Sequence, residues 1–117
     1  MTPAASHFKD SEFACPHCGV ALVRPKLKAV LEHLRAQING KPIRIVSGYR
    51  CPPHNREVGG AHDSQHMYAA AADIPSGLVK MAQAFKAGAT GIGTKGDWVT
   101  HVDVRDGAMQ HWTYPTR

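Results

Sequence analysis

Leu27, Val30, Leu31, Leu34 and Ile38 recur at helical spacing within residues 25–39, PKLKAVLEHLRAQIN. They predict one main helix with a continuous apolar stripe. Pro25 suits its first turn, and Asn39-Gly40 suits its C-terminal cap. Such a stripe must be covered by other elements of the same core. The chain has 117 residues, the size of one ordinary domain. Hydrophobic residues make up 43% and charged residues 20%, so one modest core can form. The stripe carries no reactive side chain, which makes this helix scaffold.

The remaining elements read as short. IRIVS, residues 43–47, is rich in β-branched residues and predicts a strand. Gly48 to Pro53 is a break, followed by a short helical turn over residues 53–58. Gly59-Gly60 opens a loop, and residues 71–75 read as a strand carrying Asp73. Ser76 reads as the N-cap of a second helix over residues 77–87. Leu78, Met81, Ala82 and Phe85 would form its buried side, and Gly88 would end it. GIGTKG, residues 91–96, reads as a turn-rich approach to the strand WVTHVDVR, residues 98–105. Alternation places Trp98, Thr100, Val102 and Val104 on one face and Val99, His101, Asp103 and Arg105 on the other. Asp106-Gly107 is a hairpin signal, so AMQHWTY is expected to return as the partner strand. Helices and strands mix without strict alternation. The expected fold class is α+β, a small antiparallel sheet with flanking helices.

The formal net charge is +5 and the sequence pI about 9.4. That balance favours anionic surroundings: nucleic acid, an anionic membrane surface or an acidic cell-wall polymer. Basic residues are spread from Lys9 to Arg117 without a dense run, which weakens the nucleic-acid reading. No apolar run is long enough to span a membrane. The start, MTPAASHFKD, lacks a basic region followed by an apolar stretch, so synthesis in the cytoplasm without a Sec-type signal is expected. Cys15, Cys18 and Cys51 are odd in number, which argues against a closed disulfide framework. Cys15-Pro-His-Cys18 has the spacing of zinc knuckles and redox sites, but a zinc ribbon needs a second pair. Cys51 and His17 complete a ligand set only if the fold brings them together. Reduced thiols packed near the N-terminus are the expectation. A Cys15–Cys18 or Cys15–Cys51 disulfide is the alternative outside the cell.

Eight histidines are present. His7, His17, His33, His54 and His111 have no carboxylate or histidine at a telling spacing and read as surface or loop residues. His66 precedes Asp73 by seven residues across a run of small side chains, and His101 lies mid-strand. Two imidazoles and one carboxylate match the three protein ligands of a catalytic zinc, whose fourth position holds water. On spacing alone, a loop histidine and a half-buried strand histidine explain the residues equally well.

SGYRCPPHNREVGGAHDSQHMYAAAAD, followed by GIG and then HVDVR, resembles the D-alanyl-D-alanine carboxypeptidase family of zinc peptidases. That family shares its fold with the hedgehog signalling domain. It includes vancomycin-resistance dipeptidases and phage endolysins. Ser64, His66, Ala71 and Asp73 match the pattern S-x-H-x-x-G-x-A-x-D, and His101-Val102-Asp103 matches the later H-x-D. HFKDSEFACPHCG resembles the short bacterial and phage branch. The resemblance implies one zinc ion on His66, Asp73 and His101. It implies hydrolysis of an amide bond in peptidoglycan stem peptides: D-Ala-D-Ala, L-Ala-D-Glu or a crosslink. A zinc-retaining, catalytically inactive wall-binding module is the alternative. Arg50, sixteen residues before His66, matches the family's arginine and is implied to hold an oxyanion or substrate carboxylate. Anchoring a loop is its other reading. Ser64 either touches substrate or caps the loop.

The chain departs from the pattern twice. Ala69 stands where the family has glycine, which matters if that position needs positive φ. The family's general base lies three residues before the second histidine, where this chain has Trp98. Asp97, one step earlier, is the expected base, with Asp103 the other candidate. The implied partner is a peptidoglycan peptide bound by a monomer, with no nucleic acid and no membrane span. The implied place of action is the cell wall or periplasm, for a protein encoded by a phage or prophage.

Overall fold

The stripe of α1, Pro25–Gln37, is buried as its spacing requires. Leu27, Val30, Leu31 and Leu34 pack into the core, and Ile38 lies against it. Pro25 occupies the first turn. The helix is stopped by Asn39 and Gly40, whose φ angles are +62° and +75°. This computed structural model describes residues 6–115. Residues 1–5, part of the start read for an export signal, and residues 116–117, with Arg117, lie outside the described residues. No helix among the described residues is long and apolar enough to cross a membrane.

α1 shares its core with a four-stranded sheet built from β1 (Ala71–Asp73), β2 (Gly91–Lys95), β3 (Trp98–Asp103) and β4 (Gln110–Tyr114). Two short helices flank it, α2 (Pro52–Glu57) and α3 (Met81–Lys86). The fold is α+β. The strand order is β1-β3-β2-β4. β3 runs antiparallel to β1 and β2, but β4 pairs with β2 in parallel. The sheet is therefore mixed rather than antiparallel. Asp106-Gly107 does not make a hairpin onto β3, because both edges of β3 are already paired. The chain crosses to the free edge of β2 instead.

Several local expectations differ from the structure. Residues 43–47 run without a strand ladder; Val46 N–H donates to the Asp73 carbonyl at 2.8 Å, and Ser47 alone bridges Asp73. GIGTKG is not an approach loop. Its first five residues are β2, at the centre of the sheet. α3 begins at Met81, not at residue 77, because Gly77 has φ +98° and Val79 accepts from Val99 N–H at 2.8 Å. Starting later turns a different face inward: Ala84 is buried, whereas Phe85 is 61% exposed and Ala82 also faces solvent.

A bulge in the β2–β3 ladder decides what β3 presents. Gly93 opposes His101 and Thr94 opposes Val99, leaving Thr100 without a partner. The extra residue reverses the alternation. Val99 joins Val102 and Val104 in the core, while Thr100, His101 and Arg105 line the opposite side.

Candidate metal centre

Strand register brings two of the three candidate ligands together. Asp73 on β1 lies directly opposite His101 on β3, where cross-strand side chains stand about 5 Å apart. His101 Nδ1 is 3.0 Å from Asp73 Oδ1. His66 arrives from the 3-10 turn Gln65–Tyr68, where Ser64 Oγ accepts from His66 N–H at 3.2 Å. His66 Nε2 lies 3.3 Å from the same Asp73 oxygen. One ligand atom from each residue falls within 4.8 Å of the others.

The far side of each ring is fixed. His66 Nδ1 donates to the Gly48 carbonyl at 2.7 Å. His101 Nε2 donates to Asp103 Oδ2 at 2.8 Å. A carbonyl and a carboxylate only accept, so the nitrogens facing them donate, and His66 Nε2 and His101 Nδ1 are the ring atoms left facing Asp73. Burial pushes the Asp73 carboxyl up, but hydrogen bonds to His101 and His66 and their charge hold it well below the usual carboxylate range. For His101, burial pulls the imidazole down, and Asp103 with Asp73 outweighs it, so protonation is favoured. Three acceptors thus converge on a point that demands positive charge, supplied by protons or by a metal ion.

The outer carboxylates are held as well. Arg50 Nη2 donates to Asp73 Oδ2 at 3.1 Å. Its Nε donates to Ser47 Oγ at 3.3 Å and its Nη1 to buried Asn55 Oδ1 at 3.4 Å. Asp103 is fully buried and receives Arg105 through Nε at 2.9 Å and Nη2 at 2.7 Å. Burial raises the Asp103 carboxyl, yet Arg105 and His101 keep it well below its usual range.

The ligand atoms open onto a cavity of about 610 Å³ whose lining includes Arg50, Ser64, His66, Asp73, His101 and Trp112. Asp97 is not part of this lining. It sits with Gly96 in the two-residue turn joining β2 to β3, exposed to solvent, because β3 begins only at Trp98. The carboxylates that do line the cavity are Asp73 and Asp63. Ser64 caps the turn that carries His66 and also lines the cavity. Ala69 adopts φ +58°, ψ +26°, the left-handed conformation glycine takes most easily. Sequence reasoning missed Trp112 and Tyr114, which wall the cavity from β4. Their two-residue spacing was the available signal.

A family model described as peptidase M15 matches residues 6–103, most of the chain. The chain belongs to the peptidase M15 family. Among curated proteins, the zinc D-Ala-D-Ala carboxypeptidase of Streptomyces albus G is 43% identical over 47 residues. The matched stretch is 40% of this chain and 18% of that protein, so the chain spans less than a fifth of that relative's length. Peptidase M15 membership and this zinc-dependent relative imply Zn2+ as the cofactor. The donor set fits that ion: two imidazole lone pairs and one carboxylate oxygen, with a cavity in front for a fourth ligand. Both rings are anchored from behind by acceptors, as zinc-binding histidines are.

Proposed function

We propose that this M15 chain hydrolyses an amide bond in peptidoglycan stem peptides or crosslinks, as a D-Ala-D-Ala carboxypeptidase or an L-Ala-D-Glu or D,D-endopeptidase. The observation that carries the reading is the convergence of His66, Asp73 and His101 on one wall of an open cavity that also holds Arg50. In this reading the three residues are the zinc ligands. A zinc ion held by them would supply Lewis-acid chemistry, activating water near neutral pH and polarising the scissile carbonyl. His66 and His101 keep their lone pairs forward because Gly48 and Asp103 hold the opposite nitrogens. Arg50 presents its planar guanidinium to the substrate carboxylate or the developing oxyanion. Its long 3.4 Å bond to Asn55 is the one most readily exchanged for substrate. Asp63 replaces Asp97 as the proton acceptor, because it lines the cavity and Asp73 is committed to the metal.

The test is mass spectrometry of peptidoglycan incubated with the zinc-loaded protein. Released fragments identify the bond, and His66→Ala should release none. Asp63→Asn should keep zinc and lose most of its rate, whereas Asp97→Asn should stay near full rate. The reverse result would return the role to Asp97. The exposed turn position of Asp97 favours one rival, a zinc-retaining module without catalysis. Wall binding without any fragment release would establish that rival.

A further inference from the structure

A second group of metal-binding side chains lies outside this cavity. Cys15 and Cys51 are 36 residues apart in sequence, yet their sulfurs are 3.6 Å apart. Cys18 Sγ joins them, with all three sulfurs within 4.8 Å of one another. None is in a disulfide. Cys15 and Cys51 are buried and Cys18 is exposed. Two sulfurs on one tetrahedral zinc, each about 2.3 Å from the ion, stand about 3.8 Å apart. A disulfide would hold them at about 2.0 Å and leave the third thiol over. The observed spacing suits a shared ion.

The local backbone is built for the same purpose. Cys15 N–H donates to Val20 O at 2.9 Å and Gly19 N–H to Cys15 O at 2.7 Å, and Ala14 pairs antiparallel with Ala21. Gly19, at φ +77°, lets the chain reverse directly after Cys18. This tight knuckle gathers Cys15 and Cys18 around one point. Cys51 N–H also points at Cys15 Sγ, 3.5 Å away. His17 Nδ1 lies 3.4 Å from Cys51 Sγ, beside the group but outside the 4.8 Å cluster that the three sulfurs form; the ring would have to turn inward to become a fourth donor.

We propose that Cys15, Cys18, Cys51 and His17 form a structural zinc site, sharing no residue with His66, Asp73 and His101. With His17 drawn in, four protein donors would leave no open position, which is the mark of a structural rather than a catalytic ion. The ion would tie the N-terminal knuckle to the segment Ser47–Cys51. That segment supplies the Gly48 carbonyl that anchors His66 and the Arg50 side chain that grips Asp73. The two segments already meet closely: Tyr49 N–H donates to Phe13 O at 2.9 Å, and a Cβ on Gly48 would fall 2.6 Å from Phe13 Cα. This inference does not depend on the proposed hydrolysis.

Zinc content by elemental analysis, on reduced and dialysed full-length protein, separates the two sites. Wild type should hold two ions per chain, His66→Ala one, Cys18→Ser one, and the double variant none. Cys18 is exposed, so its serine variant leaves the core intact; His17→Ala is expected to weaken retention at the same site in chelator competition. Replacing zinc by cobalt in His66→Ala gives a readout that needs no cysteine variant. An intense thiolate-to-cobalt charge-transfer band is expected there. Absence of that band would overturn the proposal. So would a wild-type mass lower by two hydrogens, which marks a disulfide, or full zinc content in Cys18→Ser.

Discussion

Ala69 holds a left-handed conformation at the end of the turn that delivers His66. That conformation costs an L residue about 1–2 kcal/mol. Glycine would remove the strain while adding freedom to the unfolded chain, worth about 0.4–1 kcal/mol in the other direction. Ala69→Gly should therefore stabilise the protein by about 0.5–1 kcal/mol, seen as a higher denaturant midpoint at unchanged slope. In the proposed metal site Asp103 would act through His101, whose Nε2 it receives. Asp103→Asn keeps the shape but removes the charge that fixes that ring, and zinc affinity should fall about 10–100-fold in chelator competition. Acid should release zinc by a related route. Protons compete for the same lone pairs, so affinity falls as pH drops through the histidine range near 6.5. Asp103 and Asp73 raise the pKa of His101, so its competition with the ion begins at higher pH than for an ordinary histidine. A titration of zinc affinity against pH checks the direction: the affinity should already begin to fall above the ordinary histidine range.

At the scale of elements, β2 shows how a glycine pair serves the centre. A Cβ on Gly91 would land on the Asp103 carboxylate, so the strand must be bare where the buried acid packs. Gly91→Ala should cost about 1–3 kcal/mol by overpacking and weaken zinc binding with it; chemical denaturation and zinc content measure both. The same glycines explain why β2 was misread from sequence: Gly-Ile-Gly looks like punctuation, and only its neighbours make it a strand. α1 was legible because every signal in it is local, from Pro25 to Asn39-Gly40. IRIVS had the right residues for a strand, but forming one needs a partner edge, and β1 meets it only at the single bridge from Asp73 to Ser47. The candidate ligands were readable as types in a motif. The place of Asp97 in an exposed turn was not readable, because the bulge at Thr100 and the turn at Gly96-Asp97 are properties of pairing, which one strand's sequence does not contain. Trp112 and Tyr114 escaped for a similar reason: their edge was assigned to β3 and belongs to β2.

For the molecule as a whole, the net charge of +5 would, under the proposed function, act as a long-range attractant for an anionic wall polymer. Salt shortens that reach, to about 8 Å at physiological ionic strength. Added salt should slow digestion of intact walls more than cleavage of a short soluble peptide, and equal slowing would remove the steering argument. The strand order also sets a sequence of events in time. β2 and β3 are joined by a two-residue turn, so they can zip together locally and early, whereas β1 must find β3 across about thirty residues of chain. His101 rides on the early hairpin, but Asp73 and His66 come with the later docking step. Capture of an ion that needs all three is expected to wait for that docking step. Zinc should lengthen the lifetime of the native state while leaving the refolding rate nearly unchanged. Stopped-flow unfolding and refolding, with and without the metal, would show the effect on the unfolding limb alone; refolding that quickens with zinc would place Asp73 and His66 beside His101 before the barrier.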